Sequence, residues 1–140
     1  MSQYSPMFVY YYDYLMSTNE WVFGADMPFC VKNVCHAEDL IAVFFPFEWI
    51  DVPKDLGPAP KATEADKYVS RVVQSAWGNF AHTGNPNPLP DVAAGVAFER
   101  FNATANKVVR YGDPTVNMEG FHSSRCDVLD RMASPPYTRR

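Results

Sequence analysis

Glycine is scarce and widely spaced in this chain. The sequence holds seven glycines, and no two of them lie within five residues of each other. This spacing excludes the phosphate-binding loops G-x-G-x-x-G and G-x-x-x-x-G-K-[ST]. It equally excludes a G-x-S-x-G nucleophile turn within these 140 residues. Chemistry that depends on this chain must therefore use other residues.

Positive charge and long apolar runs are also in short supply. Twelve basic against 16 acidic side chains leave a net charge of −4, and no stripe of lysine or arginine precedes Arg139 and Arg140. This balance disfavours nucleic acid as a partner. No apolar run approaches the ~20 residues of a membrane span, and the first residues lack the basic region of a secretory signal. We expect neither feature on this chain.

Apolar and aromatic residues, in contrast, are plentiful. Hydrophobic residues make up 47% and aromatic residues 15% of the chain, which excludes disorder for most of it and is enough for the core of one domain. The run at about 7–16 is aromatic and β-branched with almost no polar position. Half-buried strands alternate, whereas a continuous apolar run is typical of a strand covered on both faces of a parallel sheet. We predict such a strand here.

The clearest helix is predicted at about 63–83. Thr63 and Asp66 resemble a capping box, and the residues that follow place apolar side chains on one face at helical spacing. Gly84 is expected to be the left-handed C-terminal cap, and Pro86 prevents continuation of the helix. The other expected elements are a loop at about 21–36, a short helical turn after His36, a hairpin at about 97–111 with its turn at 102–106, and a last helix at about 123–132.

The three cysteines allow two interpretations. Cys30, Cys35 and His36 suggest a metal, but a zinc site needs three or four ligands, and the other histidines and Cys126 lie far along the chain. A disulfide between Cys30 and Cys35 is the better interpretation, because the short loop between them can bring the two Cα atoms close. It requires an oxidising compartment, and Asn102 begins the one N-x-[ST] sequon, a candidate glycosylation site on a predicted turn. Together these features favour secretion.

His36 is the strongest candidate for a functional side chain. A single histidine beside an apolar helix is usually structural. The position of His36 favours function instead, because it follows a predicted buried strand by a loop and precedes a helix that begins with acids. Open α/β sheets place their sites in the loops at the carboxyl ends of parallel strands.

Two segments in this order resemble a known family. Residues 34–44 read VCHAEDLIAVF, and residues 77–87 read WGNFAHTGNPN, which fits the specific phrase W-x-N-F-A-x-T-G-x-P-N. Together with the strand at 8–16, they resemble the C-terminal part of the type-B carboxylesterases, the cholinesterase-like branch of the α/β-hydrolases. The resemblance covers most of residues 7–132. It implies an α/β fold consisting of the last strands and covering helices of the central sheet, incomplete as a domain.

The resemblance also implies roles for particular residues. His36 corresponds to the catalytic histidine, which takes a proton from a serine hydroxyl and later gives it to the departing alkoxide. Asp39 occupies the position of an acid that the family keeps near the histidine loop, and it is not the triad acid, which precedes the histidine. Ala37 replaces the usual glycine. Cys126 corresponds to a helix cysteine whose partner lies well upstream. The implied substrate is a small-molecule ester, with no cofactor and no metal.

Two hypotheses follow. In this family the nucleophilic serine, the oxyanion-hole glycines and the triad acid all precede the histidine, and only residues 1–6 precede the first strand here. The first hypothesis is a C-terminal segment of a secreted serine esterase, which supplies His36 to a triad completed by the upstream part of the same domain. The isolated chain is then expected to be inactive. The alternative is a non-catalytic cholinesterase-like module for adhesion or partner binding.

Overall fold

The computed structural model describes residues 5–24, 26–44, 57, 60–87, 96–102, 104–121 and 123–132. Within these ranges, strands and helices follow one another as β1 (Tyr10–Tyr12), α1 (Asn19–Phe23), α2 (Asp39–Phe44), α3 (Glu64–Thr83), β2 (Val108–Tyr111), β3 (Val116–Met118) and α4 (Ser123–Met132). None of the helices in this part of the chain combines the length and the apolar character that crossing a membrane requires.

The three strands form a small mixed sheet in the order β1-β2-β3. β1 and β2 are parallel, with Tyr10 opposite Val109, whereas β2 and β3 are antiparallel, with Val109 opposite Asn117. A parallel pair needs a long crossover connection, and the chain between β1 and β2 contains α1, α2 and α3. The parallel pairing expected for the first strand is therefore present, in a mixed sheet whose central strand is β2.

The hairpin predicted at 97–111 is wrong. β2 forms its hairpin with β3, after the chain turns through residues 112–115, and its other edge pairs with β1. Both edges of β2 are therefore occupied, and no strand is assigned at 96–101. The backbone of that segment is satisfied elsewhere: Phe98 N–H donates to Asn87 Oδ1 at 2.6 Å, and Asn87 Nδ2 donates to Phe98 O at 3.0 Å.

Two further boundaries differ from the prediction. The strand expected at 7–16 is assigned only over Tyr10–Tyr12, although its backbone bonding extends from Val9 O, which accepts from Val109 N–H, to Asp13 N–H, which donates to Tyr111 O. The loop expected at 21–36 overlaps helix α1, whose first turn forms because Thr18 O accepts two backbone N–H groups. Such a single turn lacks the repeated apolar spacing by which helices are recognised in a sequence.

Helix α3 has the predicted caps at both ends. The Thr63 hydroxyl accepts from the Asp66 N–H, and the Asp66 carboxylate accepts from the Thr63 N–H, which completes the capping box. Gly84 is left-handed at φ 73° and closes the helix through a bond to Phe80 O. The buried residues of the apolar face join a core with the sheet, whose members are Tyr12, Ala42, Val69, Val72, Val73, Ala76, Phe98, Val109 and Tyr111.

Candidate active-site loop around His36

The candidate loop lies beyond the carboxyl end of β1. β1 and β2 are parallel and therefore end at the same edge of the sheet, where Asp13 N–H donates to Tyr111 O at 3.0 Å. From there the chain passes through α1 and the segment closed by Cys30 and Cys35 before it reaches His36. This is the edge at which α/β sheets carry their sites.

His36 is solvent-exposed and lies in a tight turn. The turn is closed by Glu38 N–H donating to Cys35 O at 3.3 Å and by Leu40 N–H donating to Ala37 O at 3.1 Å. Across the described ranges, no hydrogen bond engages the imidazole. The exposed imidazole is therefore open to a serine hydroxyl and a carboxylate from another segment.

The residue after the histidine has an unusual backbone. Ala37 lies at φ 67°, in the left-handed region that glycine adopts at little cost. An L-residue with a Cβ pays roughly 1–2 kcal/mol for this conformation. The turn therefore has a shape that glycine would favour, and this chain forms it with alanine.

Glu38 is the main residue of the site that sequence reasoning missed. Its side chain is fully buried, and its two oxygens accept hydrogen bonds from Asn19 Nδ2 at 2.6 Å and from Cys35 N–H at 2.8 Å. Burial raises the pKa of the Glu38 carboxyl above its usual value, and the accepted hydrogen bonds offset only part of that effect. The one available signal was its place two residues after His36, which does not reveal that it points inward.

The disulfide and Asn19 complete the support of the loop. The predicted disulfide joins Cys30 and Cys35 with a Cα–Cα distance of 5.5 Å. Asn19, which is buried at the start of α1, donates through Nδ2 to Cys30 O at 3.1 Å as well as to Glu38. The segment that leads into His36 is therefore held by one covalent link and by buried hydrogen bonds.

Asp39 supports the loop from its other side. Its carboxylate accepts a hydrogen bond from the Tyr10 hydroxyl at 2.7 Å, which ties the start of α2 to β1. The pKa of Tyr10 is raised above its usual range, mainly because the phenol is partly buried and additionally because the Asp39 carboxylate is close. The Tyr10 hydroxyl therefore remains protonated and donates its hydrogen bond. No bond links Asp39 to His36 within the described residues, and the two side chains act on different parts of the loop.

The other predicted site residues lie elsewhere. Asn102 is exposed, and its side-chain oxygen accepts from Thr104 N–H at 2.8 Å, while the middle residue of the sequon, Ala103, lies outside the described residues. Cys126 belongs to helix α4, and its side chain also lies outside them. Among the residues that the structure describes, no group of three or more histidine, cysteine or acidic side chains could hold a metal ion.

Comparison with known proteins identifies the family. Residues 1–129 match the model of the carboxylesterase family. The chain belongs to the carboxylesterase family. No curated protein sequence matches it.

Solved esterases share the fold of this family member. It superposes on a thermophilic PNB esterase with a TM-score of 0.66, at 22% identity over 91% of this chain and 23% of that one. A second PNB esterase gives a TM-score of 0.63 at 23% identity, over 91% and 22% of the two chains. A carboxylesterase from Geobacillus stearothermophilus gives 0.61 at 17%, over 90% and 22%. The carboxylesterase chain thus has a partial α/β-hydrolase fold and spans less than a quarter of the length of these proteins.

Proposed function

We propose that this chain is the C-terminal portion of a serine ester hydrolase and that His36 is its catalytic histidine. One observation carries the proposal: His36 is exposed, accepts and donates no hydrogen bond among the described residues, and lies on an anchored turn beyond the carboxyl ends of parallel strands. Membership of the carboxylesterase family supports a carboxylic ester as the substrate class. The nucleophilic serine, the oxyanion-hole donors and the triad acid come from the upstream part of the same domain.

The proposed chemistry uses the two nitrogens of the imidazole in turn. One nitrogen accepts the proton of the serine hydroxyl as the oxygen attacks the ester carbonyl, and the protonated ring then donates it to the departing alkoxide. Water repeats the sequence on the acyl-enzyme and releases the acid. The other ring nitrogen donates to the triad acid, which keeps the ring in the correct tautomer. The 140-residue chain has no such serine turn, so by itself it is inactive under this proposal.

Asp39 has a supporting role in this proposal. It anchors α2 to β1 through Tyr10, and the rings of Trp77 and Tyr111 lie 6.3 and 5.1 Å from that of Tyr10. Replacing Asp39 would therefore loosen the helix that follows His36 and leave the imidazole itself intact. An extracellular location belongs to the same proposal, supported by the Cys30–Cys35 disulfide and the exposed Asn102.

The test is ester hydrolysis by the protein that carries this chain together with its upstream region. With p-nitrophenyl acetate as the probe, His36→Ala is expected to abolish turnover. The matched control is His82→Ala, because His82 is also exposed but lies in the last turn of α3. Turnover that survives in His36→Ala would show that another residue is the base. Loss of turnover in the His82 control would point to a general structural effect.

The alternative function is a non-catalytic binding module, and one observation is compatible with it as well as with the esterase. Trp77 and Phe80 are 41% and 50% exposed beside Phe8 and Tyr10, so part of the apolar face of α3 remains open on this chain. The upstream coding sequence discriminates between the two functions. An intact G-x-S-x-G turn there supports the esterase, and a substituted serine supports the module.

A further inference from the structure

We propose that Glu38 is the positioning residue for His36: its buried carboxylate holds the backbone on both sides of the histidine while leaving the ring free. The proposal rests on the proposed esterase function of His36. Glu38 would touch neither the substrate nor the reacting atoms. It would act through the geometry of the turn.

The first observation is a closed circuit of contacts around the loop. Glu38 Oε1 accepts from Asn19 Nδ2, and the same nitrogen donates to Cys30 O. Cys30 is joined covalently to Cys35, whose backbone N–H donates back to Glu38 Oε2 at 2.8 Å. His36 occupies the short arc between Cys35 and Glu38, so the residue before it and the second residue after it are both anchored.

The circuit is also attached to the sheet side of the fold. Asn19 N–H donates to Met16 O at 3.1 Å, and Met16 is itself buried four residues beyond the end of β1. Glu38 and Asn19 thus connect three stretches of chain: the end of the strand segment, the start of α1 and the entry to the histidine turn. Because β1 is paired with β2, these contacts anchor the histidine turn to the sheet and not only to another loop.

The second observation is that the fold accepts an energetic cost at this place. A carboxylate in an apolar interior is disfavoured, and an apolar residue of similar volume often replaces such a group without loss of stability. Asn19 Oδ1 is also buried and has no hydrogen-bond partner within the described residues, so the amide is oriented toward Glu38 and Cys30 at the expense of its own acceptor. Buried groups held at a cost cluster at functional sites.

The consequence for catalysis follows from the sensitivity of proton transfer to the position of the imidazole. A general base must come within hydrogen-bond reach of the proton that it takes, and a displacement of about 1 Å costs up to ~100-fold in rate. Without Glu38, the backbone N–H of Cys35 loses its acceptor and the amide of Asn19 loses one of its two acceptors. The turn then keeps its own two backbone bonds, the disulfide and the bond between Tyr10 and Asp39. We expect kcat to fall while KM stays near its original value.

The experiment measures kcat and KM in the intact hydrolase with p-nitrophenyl acetate as the probe. Glu38→Ala is expected to lower kcat roughly ten- to hundredfold with KM changed less than about twofold. Glu38→Gln, which keeps one acceptor oxygen, is expected to recover part of that loss. Asn19→Ala is expected to lower kcat by a factor in the same range as Glu38→Ala. The exposed Glu20→Gln on α1 is the matched substitution. Thr115→Val, which removes a buried hydroxyl bond in the β2–β3 turn, controls for lost stability.

Each outcome supports or overturns the proposal. It is overturned if Glu38→Ala and Glu38→Gln, assayed well below their thermal midpoints, keep the original kcat, or if their loss only matches that of Thr115→Val at equal stability. It is also overturned if KM rises and kcat does not change. If Glu38→Ala does not fold, Glu38→Gln and Asn19→Ala decide by the same criterion. A His36→Ala enzyme that still turns over removes the proposed function and this inference with it. An inactive His36→Ala beside a fully active Glu38→Ala removes this inference alone.

Discussion

Asp66 joins the long helix to the segment that leads into the histidine loop, and its replacement gives a sharp test of the fold. The side chain is completely buried. Its Oδ2 accepts from the backbone and hydroxyl of Thr63, both at 2.7 Å, and from Ser17 Oγ at 2.5 Å. Its Oδ1 accepts from Ser17 N–H and the Tyr14 hydroxyl, both at 3.0 Å. Five donors therefore converge on two oxygens.

Asp66→Asn retains the size of the side chain and replaces one acceptor oxygen by a donor. The hydroxyls of Ser17 and Thr63 can rotate to accept, but a backbone N–H cannot, so at least one backbone donor loses its partner. Loss of the cap costs about 0.5–2 kcal/mol and an orphaned donor about 1–3 kcal/mol. We therefore expect the free energy of unfolding to fall by about 3 kcal/mol. Urea unfolding of the protein that carries this chain together with its upstream region, followed by tryptophan fluorescence, measures it. The control is Glu64→Gln in the same helix turn, whose carboxylate is exposed.

The contribution of Asp66 to stability depends on pH. Burial alone would raise the pKa of Asp66, but the hydrogen bonds from Ser17 and Thr63 outweigh it and hold the pKa below its ordinary value of 3.8. A carboxylate with a lowered pKa in the folded state contributes stability above its unfolded pKa, and this is lost as the pH falls through the folded pKa. The difference between the original chain and Asp66→Asn should thus be largest near neutrality and shrink below about pH 4. Equal stability of Asp66→Asn and Glu64→Gln at neutral pH would refute the reasoning.

Three further outcomes are expected. Ala37→Gly should raise the free energy of unfolding by roughly 0.5–1 kcal/mol, because the strain energy relieved at φ 67° exceeds the entropic cost of the more flexible unfolded chain. The control Ala65→Gly within α3 should lower the free energy of unfolding. A destabilised Ala37→Gly in urea titrations would contradict this expectation. Reducing the Cys30–Cys35 disulfide, which closes a loop with a sequence separation of 5, should lower the free energy of unfolding by about 2 kcal/mol. The measurement is the urea midpoint with and without reductant, and an unchanged midpoint would argue that the disulfide does not constrain the chain. The chain by itself should associate through open apolar surface such as Phe80, so a monomer in sedimentation at high concentration would count against a missing partner surface.

Local patterns account for the parts of the fold that the sequence predicted well. The caps of α3 involve residues three or four positions apart, and the chemistry of Thr63, Asp66 and Gly84 is readable without knowledge of distant segments. The Cys30–Cys35 pair is similarly local. The strand pairing was not predicted correctly. Residues 97–101 have β character in the sequence, but β1 and β3 occupy the two edges of β2, and local sequence does not record which segments take these edges.

The support of the histidine loop shows the same division. The sequence by itself determined that His36 stands after a buried strand and before a helix, and that the family motifs at 34–44 and 77–87 occur in order. The sequence did not distinguish the roles of Glu38 and Asp39, because the directions of two adjacent acidic side chains depend on the backbone conformation of the turn. The tertiary structure decided that Glu38 faces Asn19 inside the fold and that Asp39 faces Tyr10. The reason is physical: a side chain's partner is set by segments 19 and 29 residues away, which chain folding brings together and local sequence does not record.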